Sequence, residues 1–146
     1  MTLSEDLAAF RRTSRLDDLT IESAAGWTLS VRPAQLRLGA MVLSATEGEK
    51  WFADLDLARG PGLLARAATA ERLAKGLYGA ERVNLVALMM KDPVVHFHAL
   101  PRYSAEVEHH GLRWRDEDWP GPPTFGPAPT DDDVLFAIRD ELRAAR

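Results

Sequence analysis

The 146-residue sequence has no cysteine, which excludes disulfides and thiolate metal sites and fits a reducing compartment. It has no excess of basic residues either. Eighteen Lys and Arg stand against 22 Asp and Glu, a formal net charge of −4, so there is no broad cationic face for holding a nucleic acid polymer by its phosphates. The densest cationic group, Arg11, Arg12 and Arg15, falls on an amino-terminal helix pattern with Leu7 and Phe10 and reads as a solvated face. No apolar run approaches a membrane span, and Met1 to Asp6 is polar and acidic, so a cytoplasmic protein is expected. No internal repeat is visible, and nothing in the length or composition requires a second domain. A hydrophobic content of 46% is enough to bury a core.

The pattern that remains mixes helix and strand. Ser4 is placed to cap a helix running to about Arg12, and Leu19–Glu22, Thr28–Arg32 and Met41–Ser44 have strand character, with turns at Gly26 and Gly39. From Pro61 the spacing becomes helical: Leu63, Ala67, Ala70, Leu73 and Leu77 form one apolar stripe ending at Gly79. Arg82–Met90 and Pro93–Leu100 read as two strands of a hairpin across Lys91-Asp92. Trp119–Pro129 is too rich in proline and glycine for regular structure and reads as an extended connector. Thr130 with Asp133 resembles a capping pair for a final helix whose inner face carries Val134, Leu135, Ile138 and Leu142.

Chemistry concentrates in Val94-Val95-His96-Phe97-His98-Ala99-Leu100-Pro101-Arg102. On a strand, residues i and i+2 share a face, so His96 and His98 stand together while Val95, Phe97 and Ala99 pack behind them. Two imidazoles side by side can do nucleophilic and acid–base work, and on spacing alone they can equally be satisfied polar groups on a sheet.

This stretch resembles the histidine triad superfamily, whose signature is His-φ-His-φ-His-φ-φ, often followed by Pro-Arg. The middle and last histidines match His96 and His98, and Val94 stands where the family has its first. Asp92-Pro93 before the motif and Pro101-Arg102-Tyr103-Ser104 after it look like a bacterial branch related to diadenosine tetraphosphate hydrolases. Trp27–Pro33, Gly39–Ser44, Phe52-Ala53-Asp54-Leu55 and Asn84 follow in the family's order, so the resemblance spans about 19–103, with 104–146 a carboxy-terminal extension of one domain over 1–146.

The resemblance implies an α+β fold: an antiparallel sheet, one long packed helix, short amino- and carboxy-terminal helices, and a homodimer through the long helix and the sheet edge. It also implies a nucleotide hydrolase or nucleotidyltransferase acting on the α-phosphate of a nucleoside monophosphate conjugate. His96 would attack phosphorus to give a covalent nucleotidyl-histidine. His98 would hydrogen-bond the phosphate or act as general acid. Asn84, Lys91 and Arg32 would be substrate-binding residues, Trp27 a wall of a base pocket, and Arg102 an outward residue serving stability or a dimer contact. The partner is then a nucleotide-type small molecule, with no cofactor and no metal assigned. With the first histidine lost, the alternative is a nucleotide-binding module of the same fold with weakened turnover. A third reading, histidine metal binding, arises from His109-His110, although adjacent strand residues usually point apart.

Overall fold

The computed structural model describes residues 4–126 and 128–146; residues 1–3 of the polar amino end and Pro127 of the connector lie outside the described residues. Ser4 caps helix α1 (Glu5–Thr13) as the sequence suggests, its Oγ accepting from the Leu7 N–H at 3.1 Å, and Leu7 and Phe10 form the buried side. A single turn, α2 (Leu16–Leu19), then leads into the sheet, so Leu19 ends a helix rather than starting a strand.

Five strands form the main sheet: β1 (Thr20–Ala24), β2 (Trp27–Val31), β3 (Met41–Ala45), β4 (Arg82–Val86) and β5 (His96–Arg102). They are antiparallel throughout in the order β1-β2-β3-β5-β4. A hairpin turn at Ala25-Gly26, both with positive φ, joins β1 to β2, as such two-residue turns require. Gly39 precedes β3 at φ 82, and a Cβ there would lie 2.8 Å from the Tyr78 ring, so only glycine fits.

Period-two alternation divides the sheet. Trp27, Leu29, Met41, Leu43 and Ala99 belong to the main core, with Phe97 packed against it. Thr28, Ser30, Val42, Ser44, His96 and His98 point the other way; in register, Val42 pairs with His98 and Ser44 with His96.

Helix α3 (Gly60–Tyr78) covers the core face, with Pro61 in its first turn and Gly79 closing it in the left-handed conformation at φ 73. Its inner face is Ala67, Ala70, Leu73, Ala74 and Tyr78, the alanines allowing close approach to the sheet. Leu77, expected in that stripe, is instead 38% exposed, because the face drifts to Ala74 and Tyr78 at true helical pitch. Helix α4 (Asp132–Ala145) packs beside it through Leu135, Ile138 and Leu142. Its cap is Asp131; Thr130, expected in that role, accepts through Oγ1 from the Gln35 N–H at 2.8 Å.

On the opposite face, Leu7 and Phe10 of α1 meet Val42 and Val94 in a second apolar cluster. The fold is therefore α+β, an antiparallel sheet with a long packed helix and shorter helices at both ends, as expected. Two regions differ from the sequence reading. The apolar run from Arg82 leaves the sheet at Val86, and Leu88 and Met90 are exposed in a loop. Beyond β5, a short hairpin of β6 (Val107–His109) and β7 (Leu112–Trp114) turns at His110-Gly111, both with positive φ. No helix among the described residues is long and apolar enough to cross a membrane.

Candidate active site

β5 sets His96 and His98 on the polar face of the sheet with ring centroids 5.2 Å apart. His96 is nearly buried and packs against Phe10 of α1, centroids 5.0 Å apart. Its Nδ1 lies 2.7 Å from the Val94 carbonyl oxygen. A carbonyl can only accept, so Nδ1 carries a proton, and in the neutral tautomer this leaves the lone pair on Nε2.

His98 lies edge-on to Phe125, centroids 4.9 Å apart, and its buried Nδ1 has no hydrogen-bond partner. Burial, then the charge of Arg32 and the proximity of His96, push its pKa down to about 4. His98 is therefore neutral at physiological pH. Placing the proton on Nε2 avoids a buried, unpaired N–H at Nδ1 and leaves a donor on the second nitrogen.

Both histidines line a cavity of about 370 Å³, within the range of small-molecule sites. Leu88, Met89, Met90, Lys91 and Asp92 of the β4–β5 loop form one wall, and Arg32, Phe125 and Gly126 the other. Arg32 donates to the Ala34 carbonyl at 2.8 Å, and its guanidinium lies 5.4 Å from the centre of the Phe125 ring. Its burial, then the nearby Arg37 charge, lowers its pKa.

Among the residues singled out in the sequence, His96, His98, Arg32 and Lys91 thus meet at one cavity. Asn84 does not line it. Asn84 sits two rungs along the sheet, opposite Leu100, where its Oδ1 accepts from Arg102 at 2.7 Å. Trp27 is fully buried in the core on the far face, its indole N–H donating to the Arg59 carbonyl at 3.0 Å, so it walls no pocket here. Arg102 turns inward rather than outward: it is 4% exposed and donates to Asp116 at 2.6 Å and to the Gly121 carbonyl at 2.8 Å.

That inward arginine explains why the proline-rich connector covers the site. Asp116 also accepts from Arg37 at 3.0 Å, and Arg37 donates to the Thr124 carbonyl at 2.9 Å and pairs with Asp118. Burial raises the Asp116 pKa, but hydrogen bonds from Arg102 and Arg37 outweigh it and hold the carboxyl below its ordinary range. The network pins 116–124, and the next residue is Phe125. Sequence reading missed Phe10 and Phe125 as site residues. The available signals were an aromatic on the inner face of α1 and a lone phenylalanine within the proline-glycine stretch.

No protein-family model matches this sequence, and no curated protein does. Solved structures of low identity share its fold. A histidine triad protein from Marinobacter aquaeolei VT8 is 20% identical with a TM-score of 0.70, covering 98% of this chain and 93% of its own. One from Sinorhizobium meliloti 1021 is also 20% identical, TM-score 0.69, covering 89% and 92%. A hypothetical histidine triad nucleotide-binding protein from Sulfolobus tokodaii strain 7 is 10% identical, TM-score 0.70, covering 97% and 91%. The fold of this chain is the histidine triad fold.

Proposed function

We propose that this protein is a nucleotide hydrolase or nucleotidyltransferase that acts on the α-phosphate of a nucleoside monophosphate conjugate through a covalent nucleotidyl-His96. The supporting observation is the Val94 carbonyl, which holds the Nδ1 proton of His96 while the histidine lines a cavity shared with His98, Arg32 and Lys91. Nε2 attacks phosphorus as the bond to the leaving group breaks, and the electron pair departs with that group. The positive charge gained by the imidazole is stabilised by the carbonyl on Nδ1. Water, or another acceptor, then attacks the same phosphorus, the P–N bond breaks with its electron pair returning to Nε2, the attacking group's proton passes to solvent, and neutral His96 returns.

Arg32 and Lys91 supply positive charge to the phosphate oxygens, and His98 donates a hydrogen bond to one of them. A His98 that is neutral at working pH has no spare proton for the leaving group, so conjugates whose leaving group departs as a stable anion suit this site. Dinucleoside polyphosphates meet that condition better than phosphoramidates. Asn84 acts through Arg102 and steadies the sheet end rather than touching phosphate. The protein works as a cytoplasmic homodimer through α3 and the open β4 edge, where Leu64 and Leu85 are exposed.

The test is release of nucleoside monophosphate from a dinucleoside polyphosphate and from an adenosine 5′-phosphoramidate by wild type and His96→Ala. Release that the mutant loses, faster on the polyphosphate, is expected. Binding of nucleoside monophosphate without release would instead favour a binding module of the same fold, a reading that the apolar Val94 also supports.

A further inference from the structure

Far from the cavity, the β6–β7 turn and the third turn of α4 bring His109, His110 and Glu141 together. Neighbouring residues of a regular strand point apart, contrary to what is seen here. His110 takes a left-handed conformation, φ 52, and the two imidazoles come within 4.2 Å of each other, centre to centre. His109 Nε2 lies 2.9 Å from both Glu141 oxygens, and His110 Nε2 lies 2.8 Å from Oε1. The Tyr78 hydroxyl donates to the same Oε1 at 3.1 Å. One ligand atom from each of the three residues falls within 4.8 Å of the others.

We propose that His109, His110 and Glu141 bind one divalent transition-metal ion of the zinc class, with a fourth position open to water. Two imidazoles and one carboxylate are a donor set suited to zinc, and three protein ligands with one free position match its tetrahedral preference. Metal–ligand bonds of about 2.0–2.1 Å separate tetrahedral ligands by roughly 3.3 Å. The nitrogen–oxygen distances therefore need to widen by about half an ångström, a movement available to side chains that are 27%, 22% and 32% exposed. On binding, each imidazole turns its Nε2 lone pair to the ion and carries its proton on Nδ1 instead, the transfer passing through solvent, and Tyr78 keeps its hydrogen bond to the carboxylate and orients it.

The ligands are 31 and 32 residues apart in sequence. The chain between them contains Asp116, Thr124 and Phe125, so the metal ties together the two ends of the segment that walls the candidate active site. It stabilises the folded state in proportion to its binding.

Zinc chloride titrated into the metal-free full chain tests this by calorimetry, with His110→Ala, Glu141→Gln and His96→Ala alongside. Expected are one ion per chain, affinity at least tenfold weaker in His110→Ala and Glu141→Gln, no change in His96→Ala, and a wild-type Tm rise of about 5 °C or more at saturating zinc. A second readout on wild type alone follows imidazole nitrogen resonances by NMR, where zinc moves those of His109 and His110 and leaves His96 and His98 in place. No equimolar binding by wild type, unchanged affinity in the two ligand variants, or shifts confined to His96 and His98 would overturn the proposal.

Discussion

The Val94 carbonyl oxygen accepts a 2.7 Å hydrogen bond from Nδ1 of His96, so a residue with no polar side chain still fixes the tautomer of the neighbouring imidazole. The backbone does this work whatever side chain stands at 94. The side chain itself is fully buried with Leu7, Phe10 and Val42.

Val94→His should therefore weaken the protein rather than repair it. A larger, polar ring placed in that apolar cluster has no partner and costs about 2–4 kcal/mol, read as a lower urea midpoint. Unchanged or increased stability would show that the cluster has room and a partner for an imidazole.

His98 makes stability depend on pH in a defined window. Its pKa is about 4 in the folded chain, below the ordinary value of 6.5, so the unfolded chain binds more protons between these two values. Stability is fully retained above pH 6.5 and falls as pH drops toward 4. Urea denaturation of wild type should lose ground to His98→Asn across that window and run parallel to it above. Parallel curves throughout would contradict the depressed pKa.

Asp116 neutralises two buried guanidiniums, those of Arg37 and Arg102. Asp116→Ala leaves Arg102 without a carboxylate and Arg37 with Asp118 alone, and should cost about 3–5 kcal/mol, measured by chemical denaturation. It should also free the connector, so that amide hydrogen exchange at Thr124 and Phe125 rises. A small loss with unchanged exchange would mean the connector is held by other contacts.

Much of this architecture is legible in the sequence because it rests on local rules. Alternation in Trp27–Val31 and Met41–Ala45 marks strands, Ser4 and Gly79 mark helix ends, and the spacing of His96 and His98 places them on one face. What escaped depends on long-range charge pairing. Arg102 turns inward only because Asp116, 14 residues later, returns to meet it, and no periodicity encodes that meeting. Asn84 follows Arg102 for the same reason. The β6–β7 hairpin is too short for alternation to register, and its signal is the dipeptide His110-Gly111 alone. Likewise, Phe125 reaches His98 because Arg37 grips the neighbouring carbonyl of Thr124.

The proposed catalysis runs through a bond between His96 and phosphorus. Rapid acid-free quenching of wild-type protein with a dinucleoside polyphosphate, followed by intact mass measurement and peptide mapping, looks for that bond directly. A mass increase of one nucleoside monophosphate residue, mapped to His96, reversed by incubation in water and absent from His96→Ala, is the expected result. Nucleoside monophosphate release that proceeds with no adduct at any time, or undiminished in His96→Ala, would contradict it.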